Sequence, residues 1–176
     1  MEKPKIIIES IKVVARPDYN ADASYLGDYT DTESDWAICR CCGEYLANCD
    51  EDHELSFDRR KVRFFKPYSC GEKEGTAEYQ EYGKYDYERM ERLNNGDWNY
   101  LGIQAVAIVK YSIGQGHFRL EEMTSGGLWG IESDSGEYLD EVMGTELGEL
   151  KEHLEVFNVD MGNWDALTKD LELVYE

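Results

Sequence analysis

Four of the five cysteines and one histidine lie close together in the stretch 39-CRCCGEYLANCDEDH-53. Cys39 and Cys42 have the CxxC spacing that wraps two thiolates around one edge of a tetrahedral zinc ion. Cys49 and His53, with three residues between them, have a spacing that can supply the other two ligands. A bound ion would replace the hydrophobic core that a short loop cannot build. The spacing therefore predicts a structural zinc site at Cys39, Cys42, Cys49 and His53.

Other interpretations of this cysteine cluster remain open. Cys70 is an alternative ligand, and reduced cysteines in a loop need not bind a metal at all. A catalytic zinc is less favoured, because nothing nearby indicates an open coordination position or a partnering base. A redox CxxC normally begins a helix after a strand, and the following GEYLANC does not fit that context.

A second stretch with unusual chemistry is 124-TSGGLWGIESDSG-136, where glycines surround one tryptophan and two acids. Its glycines can adopt positive φ angles or let another backbone approach closely. The structural interpretation is that Leu128, Trp129 and Ile131 turn inward and that Trp129 closes the open end of a sheet.

The functional interpretation of the same loop is a ligand site. Glu132 and Asp134 could chelate a divalent ion, together with Glu121 or Glu122. A phosphate site is excluded, because the glycine spacing fits neither GxxxxGK[ST] nor GxGxxG and the two acids would repel an anion.

The charge of the chain predicts the kind of partner. With 18 Lys and Arg against 38 Asp and Glu, the net charge is −20. Such a field repels nucleic acid and anionic lipid and attracts basic protein surfaces. We therefore expect a basic protein partner, with no direct binding to nucleic acid or to a membrane. No apolar run is long enough to span a bilayer or to form a signal peptide, so we expect a cytoplasmic protein with reduced cysteines.

The acidic residues are dense in the C-terminal part of the chain. From residue 130 onward there are fourteen acids against Lys151 and Lys169. A helix face that carries carboxylates can occupy a groove built for a nucleic acid backbone. Glutamate is also a good helix former, so a solvated face with no partner is the alternative. The predicted contact residues are Asp140, Glu141, Glu149, Glu152 and Glu155.

The hydrophobic periodicity predicts an α+β fold. We expect a mainly antiparallel sheet of strands near 5–15, 58–66, 98–113 and 117–124. We expect helices near 76–94, 138–156 and 163–173 to pack on one face of that sheet. Residues 18–36 are predicted to form a long loop. Residues 1–176 are expected to form one domain, with 39–70 as a candidate cysteine-rich insertion.

Two motifs in the C-terminal half support a family resemblance. The segment DWNYLGIQAVAIV, followed by TSGGLWGIESDSGEYLDEV, resembles a family of small acidic bacterial and phage proteins. In that family W-x-x-x-G-I-x-A-x-A precedes SGGLWGIESDS and a final helix. The resemblance covers about residues 60–160 and leaves out the CxxC segment. The family has no known activity, so the resemblance implies no catalytic residue.

Together, the charge and the resemblance predict an inhibitor or adaptor that binds proteins. Its target would be a nucleic-acid-binding host defence protein, which it would block by mimicking nucleic acid in the manner of an anti-CRISPR or anti-restriction protein. The alternative is a metal-stabilised small-molecule-binding protein or enzyme that uses the Gly-Trp-acid loop. An enzyme is the less favoured class, because no GxSxG or HExxH arrangement occurs and the three histidines lie in unrelated contexts.

Overall fold

The computed structural model describes residues 5–49 and 62–176. The strands of the described residues are β1 (Ile6–Pro17), β2 (Gly27–Thr30), β3 (Ile38–Cys39), β4 (Phe64–Pro67), β5 (Tyr100–Gly114), β6 (His117–Thr124), β7 (Leu128–Glu132), β8 (Val159–Asp160) and β9 (Leu173–Tyr175). The helices are α1 (Ala77–Asn95), α2 (Tyr138–Val156) and α3 (Trp164–Thr168). Most strand pairs are antiparallel, and the α+β prediction is confirmed.

The chain divides into two compact units. Unit 1 comprises Met1–Ala21 and Asn99–Glu176, and unit 2 comprises Asp22–Trp98. Unit 2 therefore interrupts unit 1 along the chain. It includes the described part of the predicted cysteine-rich segment 39–70. The expectation of one domain over residues 1–176 stays a prediction.

Unit 1 is built around the long strand β5. It pairs antiparallel with β1 along one side, where Val13 lies opposite Ala105. Along the other side it pairs first with β7 and then with β6, so the sheet order is β6-β5-β1-β8 with β7 beside β5 and β9 beside β1. β5 is apolar on both faces and nearly all buried over its first ten residues, as its almost unbroken run GIQAVAIV predicts.

Helix α2 covers one face of this sheet. Its buried residues recur at helical spacing, and they include Val142, Leu150 and Leu154. They join one core cluster with Ile103 and Ala105 of β5. Each fully buried leucine contributes about 2 kcal/mol of transfer free energy, so this face holds the helix in place.

Unit 2 contains a small sheet of order β2-β4-β3 and the helix α1. The helix begins after Thr76, whose Oγ1 accepts a hydrogen bond from the Tyr79 backbone N–H at 3.2 Å. It ends at Gly96, which adopts φ 79°. Gly83 lies within this helix and lets it approach Tyr45, because a Cβ at this position would lie 1.9 Å from the Tyr45 hydroxyl oxygen.

Several predicted elements differ from the structure. The predicted strand 58–66 is β4 at Phe64–Pro67, and residues 58–61 lie outside the described part of the chain. It belongs to the second sheet, so the expectation that it joins the sheet of the other three predicted strands is wrong. The predicted loop 18–36 contains β2, and the predicted helix 163–173 is the five-residue α3 followed by β9. None of the helices in the described residues has the length and apolar character to cross a bilayer.

Candidate metal centre and acidic helix

Three of the predicted metal ligands come together in unit 2. The Sγ atoms of Cys39, Cys42 and Cys49 all lie within 4.8 Å of one another. Those of Cys42 and Cys49 are 3.6 Å apart. A tetrahedral zinc ion with Zn–S bonds of about 2.3 Å places its thiolates about 3.8 Å apart. The three thiols can therefore hold a metal ion with little movement.

A tight hairpin positions these thiols. Cys39 ends β3, and its N–H donates to the Glu44 carbonyl at 2.8 Å, while the Gly43 N–H donates back to the Cys39 carbonyl at 2.8 Å. Gly43 adopts φ 76°, a conformation that glycine reaches without strain. A 3-10 turn at Leu46–Asn48 then returns the chain and presents Cys49. The turn residues between the two halves of the motif therefore close the loop around the thiols.

The surroundings of Cys39 and Cys41 shift the pKa values of the two thiols in opposite directions. Cys39 is 1% exposed. Burial acts to raise the pKa of Cys39, but hydrogen bonds from Cys41 and Cys42 outweigh burial, and its pKa lies below the ordinary value. Burial and the neighbouring Cys39 raise the pKa of Cys41 to about 12. Since metals bind thiolates, the lowered pKa of Cys39 favours it as a ligand. The Sγ of Cys41 lies 2.8 Å from that of Cys39, within hydrogen-bonding distance.

The remaining predicted ligands differ in status. His53 lies outside the described residues, so its place as the fourth ligand stays a prediction. Cys70 is exposed and is not part of the three-thiol group within the described residues. The sequence reasoning gave Cys41 no role, although its place inside CRCC is a signal for a thiol that supports the ligands.

The predicted contact acids lie on α2, and all five are exposed. At 100° per residue, Glu141, Glu152 and Glu155 lie near the centre of the solvent face, opposite the buried leucines. Asp140 and Glu149 lie on its two flanks. Lys151 lies between Glu149 and Glu152 in sequence, but its Nζ is 5.7 Å from the centroid of the Trp164 ring. Within the described residues, none of these five carboxylates forms an ion pair.

A sixth acid on α2 has a structural role that the sequence reasoning missed. Glu146 is 2% exposed, and its Oε2 accepts hydrogen bonds from Ser125 Oγ at 2.5 Å and from the Gly127 N–H at 3.0 Å. The Gly126 N–H donates to Glu149 Oε2 at 3.3 Å. The Ser-Gly-Gly segment is thus tied to α2 by carboxylates. The available signal was the position of Glu146 within the apolar stripe, four residues before Leu150.

Trp129 does not close the end of the sheet, and the prediction that it turns inward is wrong. It lies in β7 and is 50% exposed, and Leu128 beside it is also exposed, whereas Ile131 is buried. The indole lies against the backbone of Gly102 in β5, where a Cβ would come within 2.1 Å of Trp129 Cε3. Gly102 therefore makes room for the ring.

The acids of the same loop show no metal site. Within the described residues, no group of three candidate ligands includes Glu132 or Asp134. Glu121 instead accepts a hydrogen bond from Tyr111 Oη at 2.9 Å and pairs with Arg119 at 3.2 Å. The alternative of a ligand site at the Gly-Trp-acid loop stays a prediction.

The candidate metal centre and the acidic helix are identified from the geometry of this chain alone. The family resemblance carried by the Trp98–Ala107 and Ser125–Ser135 motifs stays a prediction. Comparisons with family models, with curated proteins and with solved structures return no match to this chain.

Proposed function

We propose that this protein is an acidic inhibitor or adaptor that docks on the cationic, nucleic-acid-binding surface of a basic protein. The observation that carries the proposal is the solvent face of α2, defined here by Asp140, Glu141, Glu149, Glu152 and Glu155. These carboxylates are exposed and have no ion-pair partner among the described residues. The resemblance to bacterial and phage proteins supports a host defence protein as the target.

Cations elsewhere in the described chain neutralise other acids. Lys12 and Arg16 both pair with Glu176, and Lys84 pairs with Glu44. These ion pairs leave the negative charge of the α2 solvent face uncompensated. A face of this kind attracts a basic surface and accelerates its association.

The spacing of the carboxylates on α2 favours a contact that replaces only a few phosphates of a nucleic acid. The five carboxylates span about 22 Å along the helix axis, and duplex DNA of that length carries about 13 phosphates. α2 therefore replaces a few phosphates in a groove rather than a whole duplex. Steered association and competition at those few positions account for inhibition without mimicry of the complete helix.

Charge reversal on α2 tests the proposal. The variant Glu141→Lys/Glu152→Lys/Glu155→Lys changes exposed side chains that make no hydrogen bond or ion pair within the described residues, so we expect the fold to be kept. Wild-type protein is used to capture basic proteins from a nuclease-treated bacterial lysate, and the Kd of each captured protein is then measured. We expect the triple variant to bind at least about tenfold more weakly and to lose competition with duplex DNA.

The control carries the same change in net charge on unit 2. Glu72, Glu81 and Glu88 are exposed acids whose reversal to lysine should leave affinity within about twofold of wild type. An equal loss in the two variants, or no loss in the α2 variant at low salt, contradicts docking through α2.

We also propose that the metal of the three-thiol group is zinc in a structural role, with His53 as its fourth ligand. Thiolates with one imidazole form a ligand set typical of structural zinc, and this set leaves no open position for catalysis. The supporting observation is the convergence of Cys39, Cys42 and Cys49 around a turn.

Metal analysis tests this second proposal. Protein purified without added metal is expected to contain one zinc per chain, and Cys39→Ser or Cys42→Ser to contain none. Cys70→Ser serves as the matched control and should keep the ion, because Cys70 lies outside the three-thiol group. Chelation should speed amide hydrogen exchange around β3 in unit 2 and leave β1 and β5 of unit 1 protected. A metal-free wild type, or equal loss of zinc in all three variants, contradicts the proposal.

A further inference from the structure

Strand β6 forms the edge of the sheet in unit 1. β5 pairs with one side of it, and within the described residues no strand pairs with the other side. The strand is eight residues long, contains no proline or lysine, and is exposed over its first six residues. An edge with these properties is a template for pairing with another strand.

The hydrogen-bonding pattern identifies which groups of β6 point away from β5. The Ser125 N–H donates to the Ala105 carbonyl at 3.0 Å, which begins the ladder of alternating hydrogen-bonded pairs. By this alternation Arg119, Glu121 and Met123 bond to β5, whereas Phe118, Leu120 and Glu122 direct their N–H and C=O groups outward. Thr124 also directs its backbone groups away from β5, and its carbonyl accepts a hydrogen bond from His153 Nδ1 at 3.2 Å. The free edge therefore runs from His117 to Met123.

Two apolar side chains lie along this free edge. Phe118 is 61% exposed and Leu120 is 58% exposed, and both point to the same face of the sheet because they are two residues apart. Lys110 on β5 lies near the first of them, with its Nζ 5.1 Å from the Phe118 ring centroid. A strand added at this edge would bury apolar surface as well as backbone groups.

Charge complementarity identifies the strand that fits. A second copy of β6 can pair antiparallel across a two-fold axis, and in the three central registers Arg119, Leu120 or Glu121 lies opposite itself. An axis at Arg119 sets two arginines against each other, and an axis at Glu121 sets two glutamates against each other. An axis at Leu120 sets Arg119 of each copy against Glu121 of the other and Leu120 against Leu120. Like charges directly opposite are destabilising and opposite charges are favourable, so the Leu120 register is selected.

We propose that two copies of this chain associate through antiparallel pairing of β6 about a two-fold axis at Leu120. The outward N–H and C=O groups of Leu120 and of the Phe118–Glu122 pairs form the new ladder. Arg119 now pairs with Glu121 of its own chain, with 3.2 Å between Nε and Oε1. Association exchanges this ion pair in each copy for two symmetric Arg119–Glu121 ion pairs between the copies.

The net charge of −20 on each copy opposes this association. Salt at about 0.15 M screens charges that are more than about 8 Å apart and affects the contacting Arg119–Glu121 pairs less. The dimer is therefore expected to strengthen as ionic strength rises from low salt to this value.

Sedimentation velocity over a range of protein concentrations tests the proposal. We expect wild type to dimerise with a Kd in the micromolar range, and Arg119→Glu and Glu121→Arg each to weaken the dimer about tenfold. The double variant Arg119→Glu/Glu121→Arg restores opposite charges across the axis and should return to within about threefold of wild type. Leu120→Glu, which places two carboxylates at the axis, should be monomeric.

The two single variants separate pairing from net charge. Glu121→Arg makes the chain less acidic and Arg119→Glu makes it more acidic, yet both should weaken the dimer. Glu172→Lys makes the same charge change as Glu121→Arg away from β6 and should not weaken it. A wild type that stays monomeric at about 100 µM, a Glu121→Arg dimer as strong as wild type, or a double variant that fails to recover each overturns the proposal. Circular dichroism verifies that each variant is folded, and the altered side chains are exposed at the surface.

Discussion

At the scale of single residues, the contact between Trp129 and Gly102 gives the loop its shape. A tryptophan among glycines and acids suggested a buried plug or a ligand site, but the ring lies half-exposed on the backbone of β5. Gly102 has no positive φ, so it is needed for space alone. Two glycines nearby have the other role: Gly127 and Gly130 adopt φ 82° and 77°.

This contact predicts a specific coupling between two substitutions. Gly102→Ala should destabilise the protein by about 1–3 kcal/mol, because its Cβ would overlap three ring atoms of Trp129. In a Trp129→Ala background the ring is absent, and the same substitution should cost much less. Urea denaturation of the four proteins of this cycle measures the coupling. An equal cost in both backgrounds would show that the ring does not set the requirement for glycine.

Two buried carboxylates, Glu146 and Asp86, have structural roles that their residue type alone does not indicate. Glu146 accepts from Ser125 and Gly127, and Asp86 accepts from the Ser69 N–H at 2.8 Å. Burial raises the pKa of Asp86, and the hydrogen bond from Ser69 partly opposes that rise. In sequence these acids resemble the many exposed ones, and only their neighbours in space identify them as internal hydrogen-bond acceptors.

At the scale of elements, helix α2 has one apolar face that is buried against the sheet and an opposite acidic face that is exposed to solvent. Gly144 and Gly148 lie on the solvent side of this helix, and a Cβ built on either would meet no atom within 4 Å. Glycine in a helix interior is about 1 kcal/mol less favourable than alanine. These two positions therefore lower the stability of α2 without a packing reason.

Alanine at these positions should stabilise the fold. We expect Gly144→Ala and Gly148→Ala each to raise the free energy of unfolding by about 1 kcal/mol, and the double variant to gain close to the sum. Thermal unfolding followed by circular dichroism measures the gain. A loss of stability would mean that a neighbour approaches this face in solution.

The elements with a long regular pattern were predicted well. The prediction for α2 at 138–156 agrees with the structure because its apolar residues keep helical spacing over the whole length. The prediction for β6 at 117–124 also agrees, because a short glycine-containing turn returns the chain from β5 into this strand. The C-terminal segment was misassigned because Trp164, Leu167 and Leu171 also fit a helix. There the chain leaves α3, Asp170 adopts φ 57°, and β9 pairs with β1, where Val174 lies opposite Val14. That pairing joins residues far apart in sequence and leaves no local signal.

At the scale of the whole molecule, the chain forms two units with separate sheets. Each strand has a local pattern, but nothing in the pattern says which strands become neighbours. β4 was expected in the same sheet as β1, β5 and β6, yet it lies between β2 and β3 in unit 2. The distribution of charge follows the same rule, since Lys12 and Arg16 neutralise Glu176 at the other end of the chain.

The sequence by itself determined the excess of acid, the main helices and strands, and the thiols of the CxxC segment, because these depend on composition or on contacts within a few residues. Tertiary structure alone decided that Glu146 is buried while Glu141, Glu152 and Glu155 stay exposed and unpaired among the described residues. It also decided that β6 ends a sheet with its outer edge open within those residues. The physical reason is that burial, ion pairing and strand neighbours are set by contacts between distant segments, whose partners no local pattern specifies.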